Sequence, residues 1–185
     1  MIFLEFVLIL AASAIYALVH LANGWLFQSF EVSPHVNWIY LPAFLQVFYV
    51  LVLGRLNGFI AIFLGGLMVG NALDEPHFIW VTNSVCAALA PILAYTLMTR
   101  WLRRPIDLTS LRDLLQLTFV YGLFITLLHH LFWTFFDPLQ WHEPVQIVAM
   151  AVGDWVGCLI GVGIMKAAVD RIGLPEGKFN PPSKD

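Results

Sequence analysis

Residues 149–168 read AMAVGDWVGCLIGVGIMKAA. The run is apolar and long enough for a hydrocarbon core of about 30 Å, yet it holds a carboxylate, Asp154. Gly153, Gly157 and Gly161 recur every four residues. On a helix they share one face, a bare stripe along which a neighbouring helix can approach closely. Asp154 lies beside that stripe. An ionisable group at such depth is costly and normally faces a bundle interior or a watery cavity. The rest of the chain therefore reads as the wall around this helix.

Composition agrees. The chain has 185 residues, 60% of them hydrophobic and 11% charged, with a mean hydropathy of +0.82. Soluble domains carry about 25% charge, so this is an integral membrane protein, with length for one domain. The net charge of −3 gives no basic surface for nucleic acid. The apolar runs are near helix length, not the roughly ten residues of a membrane β-strand. Cys86 and Cys158 fall inside different runs and read as small core residues, with no framework for a disulfide or a zinc site. Met1 to His20 lacks the basic leading region of a signal peptide and reads as a retained first span.

Six runs are expected to cross: Ile2–Leu21, Trp38–Leu53, Leu56–Ala72, Phe78–Trp101, Leu114–Phe136 and Val145–Ala168. The second and third are split only by Gly54, Arg55 and Asn57, which predicts a tight helical hairpin. Pro91 falls in mid-helix and predicts a kink. With six crossings every lysine and arginine falls on one side, including Arg55, Arg100, Arg103, Arg104, Arg112 and Lys166. That side is cytoplasmic by the positive-inside rule, which places both termini inside. The fold class is an all-α polytopic bundle over residues 1–170, with 171–185 a disordered cytoplasmic tail in the inner membrane of a cell. Leu108–Leu115 is amphipathic and is expected to lie along the interface.

All six histidines, His20, His35, His77, His129, His130 and His142, map to the outer half with Trp25, Trp38, Trp80, Trp133 and Trp141. An aromatic belt accounts for the tryptophans; an outward-opening aromatic pocket accounts for them as well. His129 and His130 point about 100° apart on a helix, one toward the bundle and one toward the interface. Gln46, in mid-helix, either bonds across the bundle or lines a pocket. Asp154 needs a donor, and His129, Asn83, Asn71 and Trp133 lie at comparable depth. It is either helix glue or a ligand or proton site. No Ser/His/Asp spacing, phosphate loop, zinc-protease motif or CxxC occurs, so neither catalysis nor a cofactor is expected. No two histidines have a recognised ligand spacing, and no metal is expected. Asp74 and His77 share a loop at generic spacing. Ligand-binding candidates are thus Asp154, His129, Asn83, Gln46 and Trp133; structural ones are Gly153, Gly157, Gly161 and Pro91.

Three stretches together resemble the membrane-associated sensor domain of the MASE type, first subfamily. They are Trp38 to Gly70 with its LGRLNGFIAIFLGGLMVG, Thr82 to Leu102 with TNSVCAALAPILAYTLMTRWL, and Gly153-Asp154 with Gly157 in Val152 to Met165. The resemblance carries over Asn83, Gly153, Asp154 and Gly157. It implies a bacterial inner-membrane sensing module, here shortened and with no output domain following. The expected function is non-catalytic: binding a small molecule or ion from the outer side and signalling to a partner protein, among membrane lipids. An alternative is a transporter subunit resembling, in architecture only, the substrate-binding component of energy-coupling-factor transporters. A metal- or haem-binding membrane protein is a third.

Overall fold

The computed structural model describes residues 2–33, 36–73, 76–107, 110–136 and 143–172. The tail from Gly173 to Asp185, His35, Asp74, Trp141 and His142 lie outside the described residues. Helix α1 (Ile2–Leu26) leads through a 3-10 turn (Gln28–Phe30) into a small antiparallel hairpin, β1 (Glu31–Ser33) with β2 (Val36–Asn37). Four helices follow: α2 (Pro42–Ala72), α3 (His77–Leu102), α4 (Leu111–Phe136) and α5 (Pro144–Ile172).

Among the described residues five helices are long and apolar enough to cross a membrane, where the sequence reading expects six. The two short runs expected at Trp38–Leu53 and Leu56–Ala72 belong to one helical element, α2, which begins only at Pro42. Inside it Gly54 alone leaves helical geometry, at φ 82° and ψ 171°, a region that only glycine occupies readily. A Cβ on Gly58 would lie 3.0 Å from the backbone carbonyl of Tyr49. A straight helix would hold those two residues about 13 Å apart. The chain therefore reverses at Gly54, and the two arms of α2 pack against each other. Nothing surrounds Gly54 within 4 Å, so a side chain there would meet a backbone penalty alone. Gly54→Ala should cost about 1–3 kcal/mol, read as a lowered thermal midpoint in detergent. Gly163→Ala, in equally open space but regular helix, should be neutral or slightly stabilising.

Buried positions follow helical periodicity. On α4 the buried face runs Leu114, Leu117, Thr118, Tyr121, Gly122, Ile125, Thr126, His129, His130 and Trp133, the spacing of a stripe at least 100° wide. His129 and His130 both fall within it and both are buried. The expectation that one faces the interface is thus corrected: two adjacent residues fit side by side in so wide a stripe. On α1 the buried face is Ala12, Ser13, Tyr16, Ala17 and Asn23, while Phe3, Leu4, Phe6 and Leu18 are exposed, as lipid-facing residues are. Pro91 is buried inside the continuous helix α3. Gly66 faces Ser84, whose Cβ would stand 2.8 Å from an added Cβ, so α2 and α3 meet through small residues.

The neighbour of the glycine stripe is not the helix that its spacing suggested. A Cβ on Gly153 would strike the carbonyl oxygen of Asn37, one on Gly157 that of Tyr40, and one on Gly161 the ring of Phe44. The stripe thus seats the non-helical segment 37–41 and the start of α2. Non-helical backbone at membrane depth survives only where protein satisfies its polar groups. Here Tyr40 N–H donates to the Gly153 carbonyl at 3.1 Å. The buried Asn23 side chain accepts from Leu41 N–H at 2.9 Å and donates to the Ile39 carbonyl at 3.1 Å.

At the opposite end of the bundle, Leu111–Leu115 starts α4 instead of forming the expected interfacial segment; Leu108 and Thr109 lie outside the described residues. Asp113 is buried there and takes both terminal nitrogens of Arg104, Nη2 at 2.9 Å. Its Oδ2 also accepts from Asp107 N–H at 3.1 Å. Arg104, read from sequence as a topology determinant, also ties the α3–α4 loop shut.

Candidate functional site

All five helices and the non-helical segment 37–41 converge around one cavity of about 80 Å³. Asp154, His129, Asn83, Gln46 and Trp133, which come from four different runs of sequence, all line it. So do residues that the sequence reading left out of the candidate set: Tyr16 and His20 from α1, Asn37 and Tyr40 from the extended segment, and Trp80 and Ser84 from α3. One signal for the α1 pair was available. Ser13, Tyr16, His20 and Asn23 recur at spacings of three and four, a polar stripe along an apolar helix. Asn37 and Tyr40 had no such signal, since their chain neighbours are not helical.

A hydrogen-bonded relay crosses the bundle beside the cavity. Tyr121 Oη donates to Gln46 Oε1 at 2.7 Å, and Gln46 Nε2 donates to Tyr16 Oη at 2.8 Å. This joins α4, α2 and α1 through three buried side chains. Farther along, Tyr40 Oη lies 3.0 Å from His20 Nδ1, and the His20 ring meets Tyr40 edge-on at 5.5 Å.

Asp154 stands at the end of that relay and is 1% exposed. The donors expected for it from sequence do not reach its Oδ2. Asn83 Oδ1 accepts from Trp133 Nε1 at 3.1 Å, His129 Nδ1 lies 3.0 Å from the Ile125 carbonyl, and Asn71 is exposed. Tyr121 takes their place, its Oη 3.4 Å from Asp154 Oδ1. A tyrosine has one proton, and the Tyr121 proton is committed to Gln46 at the shorter distance. Asp154 Oδ2 has no partner among the described residues. The cross-bundle link therefore runs through Tyr16, Gln46 and Tyr121 and does not depend on Asp154.

Aromatic rings close the site. Trp133 is 1% exposed and meets His129 and His130 edge-on at 5.4 and 5.2 Å. Among the described residues no group of three or more His, Cys, Asp or Glu side chains converges as metal ligands. The arrangement can hold a few waters or a small ligand against a carboxylate, amides, hydroxyls and aromatic rings. No protein-family model, no curated protein and no solved structure matches this chain.

Proposed function

We propose that this chain is an inner-membrane sensor or ligand-binding protein that takes a small molecule or ion from the outer side into the Asp154 cavity. One observation carries the reading: a buried carboxylate with an unpartnered oxygen lines a cavity shared by five helices. A carboxylate serving as helix glue would be expected to have both oxygens engaged, because an unpaired polar atom in a low dielectric is costly.

The topology proposed with it treats the two arms of α2 as separate passes. The first arm, 42–53, is only about 18 Å long, and the extended segment 37–41 completes its path. The chain then makes six passes, and Arg55, Arg100, Arg103 and Arg104 gather on the cytoplasmic side with both termini. The cavity-lining residues His20, Asn37, Trp80 and Met150 lie toward the other end. The resemblance to MASE-type sensor domains supports the second half of the reading, in which the bound state is passed to a partner at the cytoplasmic face. α5 suits that role, since it carries Asp154 in its middle and runs on to Arg171.

Cysteine labelling tests the outward opening. With Cys86 and Cys158 replaced by alanine, Met150→Cys should react with a small impermeant methanethiosulfonate added to intact cells. Arg55→Cys and Arg103→Cys should react only after permeabilisation. Labelling of Arg103→Cys from outside, with Met150→Cys silent, would overturn the reading.

A further inference from the structure

On the reading that this cavity is a ligand site, we infer that its ligand is a small ammonium-type cation, received by Asp154 Oδ2 and Asn37 Oδ1. The first ground is an imbalance of hydrogen-bonding groups. Both of those oxygens are buried, belong to residues lining the cavity, and lack any partner among the described residues. No donor among the described residues reaches either oxygen, and several nearby are spent on protein acceptors: Tyr121 on Gln46, Gln46 Nε2 on Tyr16, Trp133 on Asn83, and Ser84 on the Trp80 carbonyl. A ligand that completes the site must therefore bring N–H or O–H groups.

Charge narrows the class. No lysine or arginine is among the described lining residues, and the two histidines there, His20 and His129, bond Tyr40 and the Ile125 carbonyl. An ionised Asp154 therefore has no fixed cation opposite it and would repel an anion. A neutral donor would satisfy the oxygens and leave the carboxylate charge unpaired in low dielectric, which is the larger cost. A cation removes both penalties. The lining then favours an ammonium over a bare metal ion. Tyr16, Tyr40, Trp80 and Trp133 are among the lining residues, and aromatic faces attract ammonium groups. A hard metal ion needs about six or more oxygens, and only two on the described lining residues are without a partner. Size sets the upper limit. A cavity of about 80 Å³ holds on the order of five to eight waters, which fits an amine of few heavy atoms.

The test is a thermal-shift titration of the full chain in detergent with methylammonium chloride against sodium chloride at equal ionic strength, with acetamide as the neutral donor. Methylammonium should raise the midpoint by several degrees beyond sodium, and acetamide should not. Asp154→Asn should fold and lose the gain. Asn37→Ala keeps the carboxylate and should weaken methylammonium about tenfold, the effect of losing one charge-assisted hydrogen bond; it keeps the proposal testable if Asp154→Asn does not accumulate. Equal stabilisation by sodium, or a methylammonium gain that survives in both variants, would overturn the ammonium class. Stabilisation by acetamide alone would overturn the cation and leave the cavity a ligand site. A response to none of the three overturns the cation; joined to silent Met150→Cys labelling, it would take the binding reading down as well.

Discussion

Gly157→Leu is expected to be the most damaging single substitution in the chain, preventing accumulation of folded protein or lowering its thermal midpoint more than any other glycine replacement on α5. The reason is what stands opposite. At Gly161 an added carbon would meet the ring of Phe44, which can rotate. At Gly157 it would meet the carbonyl oxygen, carbonyl carbon and next nitrogen of the Tyr40–Leu41 peptide. Backbone cannot move aside without pulling Tyr40 off the Gly153 carbonyl and Leu41 off Asn23. Overpacking commonly costs about 1–3 kcal/mol, and a clash with fixed backbone puts this site at or above the upper end. Even Gly157→Ala should be clearly destabilising. Gly163→Leu, two turns on and in open space, should be mild. Melting curves of the three variants in one detergent give the comparison, and equal losses at Gly157 and Gly163 would refute a specific seat for the extended segment.

That seat shows where sequence reading succeeds and where it stops. The four-residue glycine spacing marks a close approach correctly, because small residues on one helix face have few other uses in a membrane. It does not identify the neighbour. Trp38, Ile39, Tyr40 and Leu41 are as apolar as a helix and run straight into Pro42, so hydropathy counts them as the start of a span. What holds them outside the helix is a clamp from Asn23 in another helix, a tertiary contact with no local trace. The same limit explains the count of spans. Gly54 is a plausible break, but whether a glycine turns a chain through a reversal or merely sits in a helix depends on what the two arms pack against.

The cavity was partly legible for a related reason. Asp154, Gln46, Asn83 and His129 stand out because a polar residue in an apolar run demands a partner, and partners are found inside the bundle. The structure brings all four to one place together with Trp133. Tyrosines do not stand out in this way. A tyrosine in a membrane helix is ordinary at an interface or in a core, so Tyr16, Tyr40 and Tyr121 drew no attention, although two of them form the relay with Gln46. The histidine pair failed on geometry. An angle of about 100° between neighbours separates two residues only if the buried stripe is narrow, and on α4 it is wide.

Asn23→Leu should match Gly157→Leu in kind, because it attacks the same seat from the other side. Asn23 is 2% exposed and serves two backbone groups of the non-helical segment, the Ile39 carbonyl and Leu41 N–H. Leucine has the same number and branching of side-chain heavy atoms and suits a membrane helix, so side-chain shape and span hydropathy are nearly kept while the Leu41 N–H and Ile39 carbonyl lose their partner. Each buried group left unsatisfied costs about 1–3 kcal/mol, so the pair should cost on the order of 2–6 kcal/mol. Asn23→Asp separates the two bonds: the carboxylate still accepts from Leu41 N–H and can no longer donate to Ile39 unless it is protonated. Its midpoint should therefore lie between wild type and Asn23→Leu at acidic pH and fall as the carboxylate ionises, since the buried charge has no cation beside it. Ligand response should fail together with stability, because Asn37 and Tyr40, on the clamped segment, line the cavity. Melting curves across pH give the first quantity, methylammonium thermal shifts in each background give the second, and methanethiosulfonate labelling of Ile39→Cys reports whether the segment is displaced. Wild-type stability and unchanged labelling in Asn23→Leu would mean that the segment is held by the glycine stripe alone.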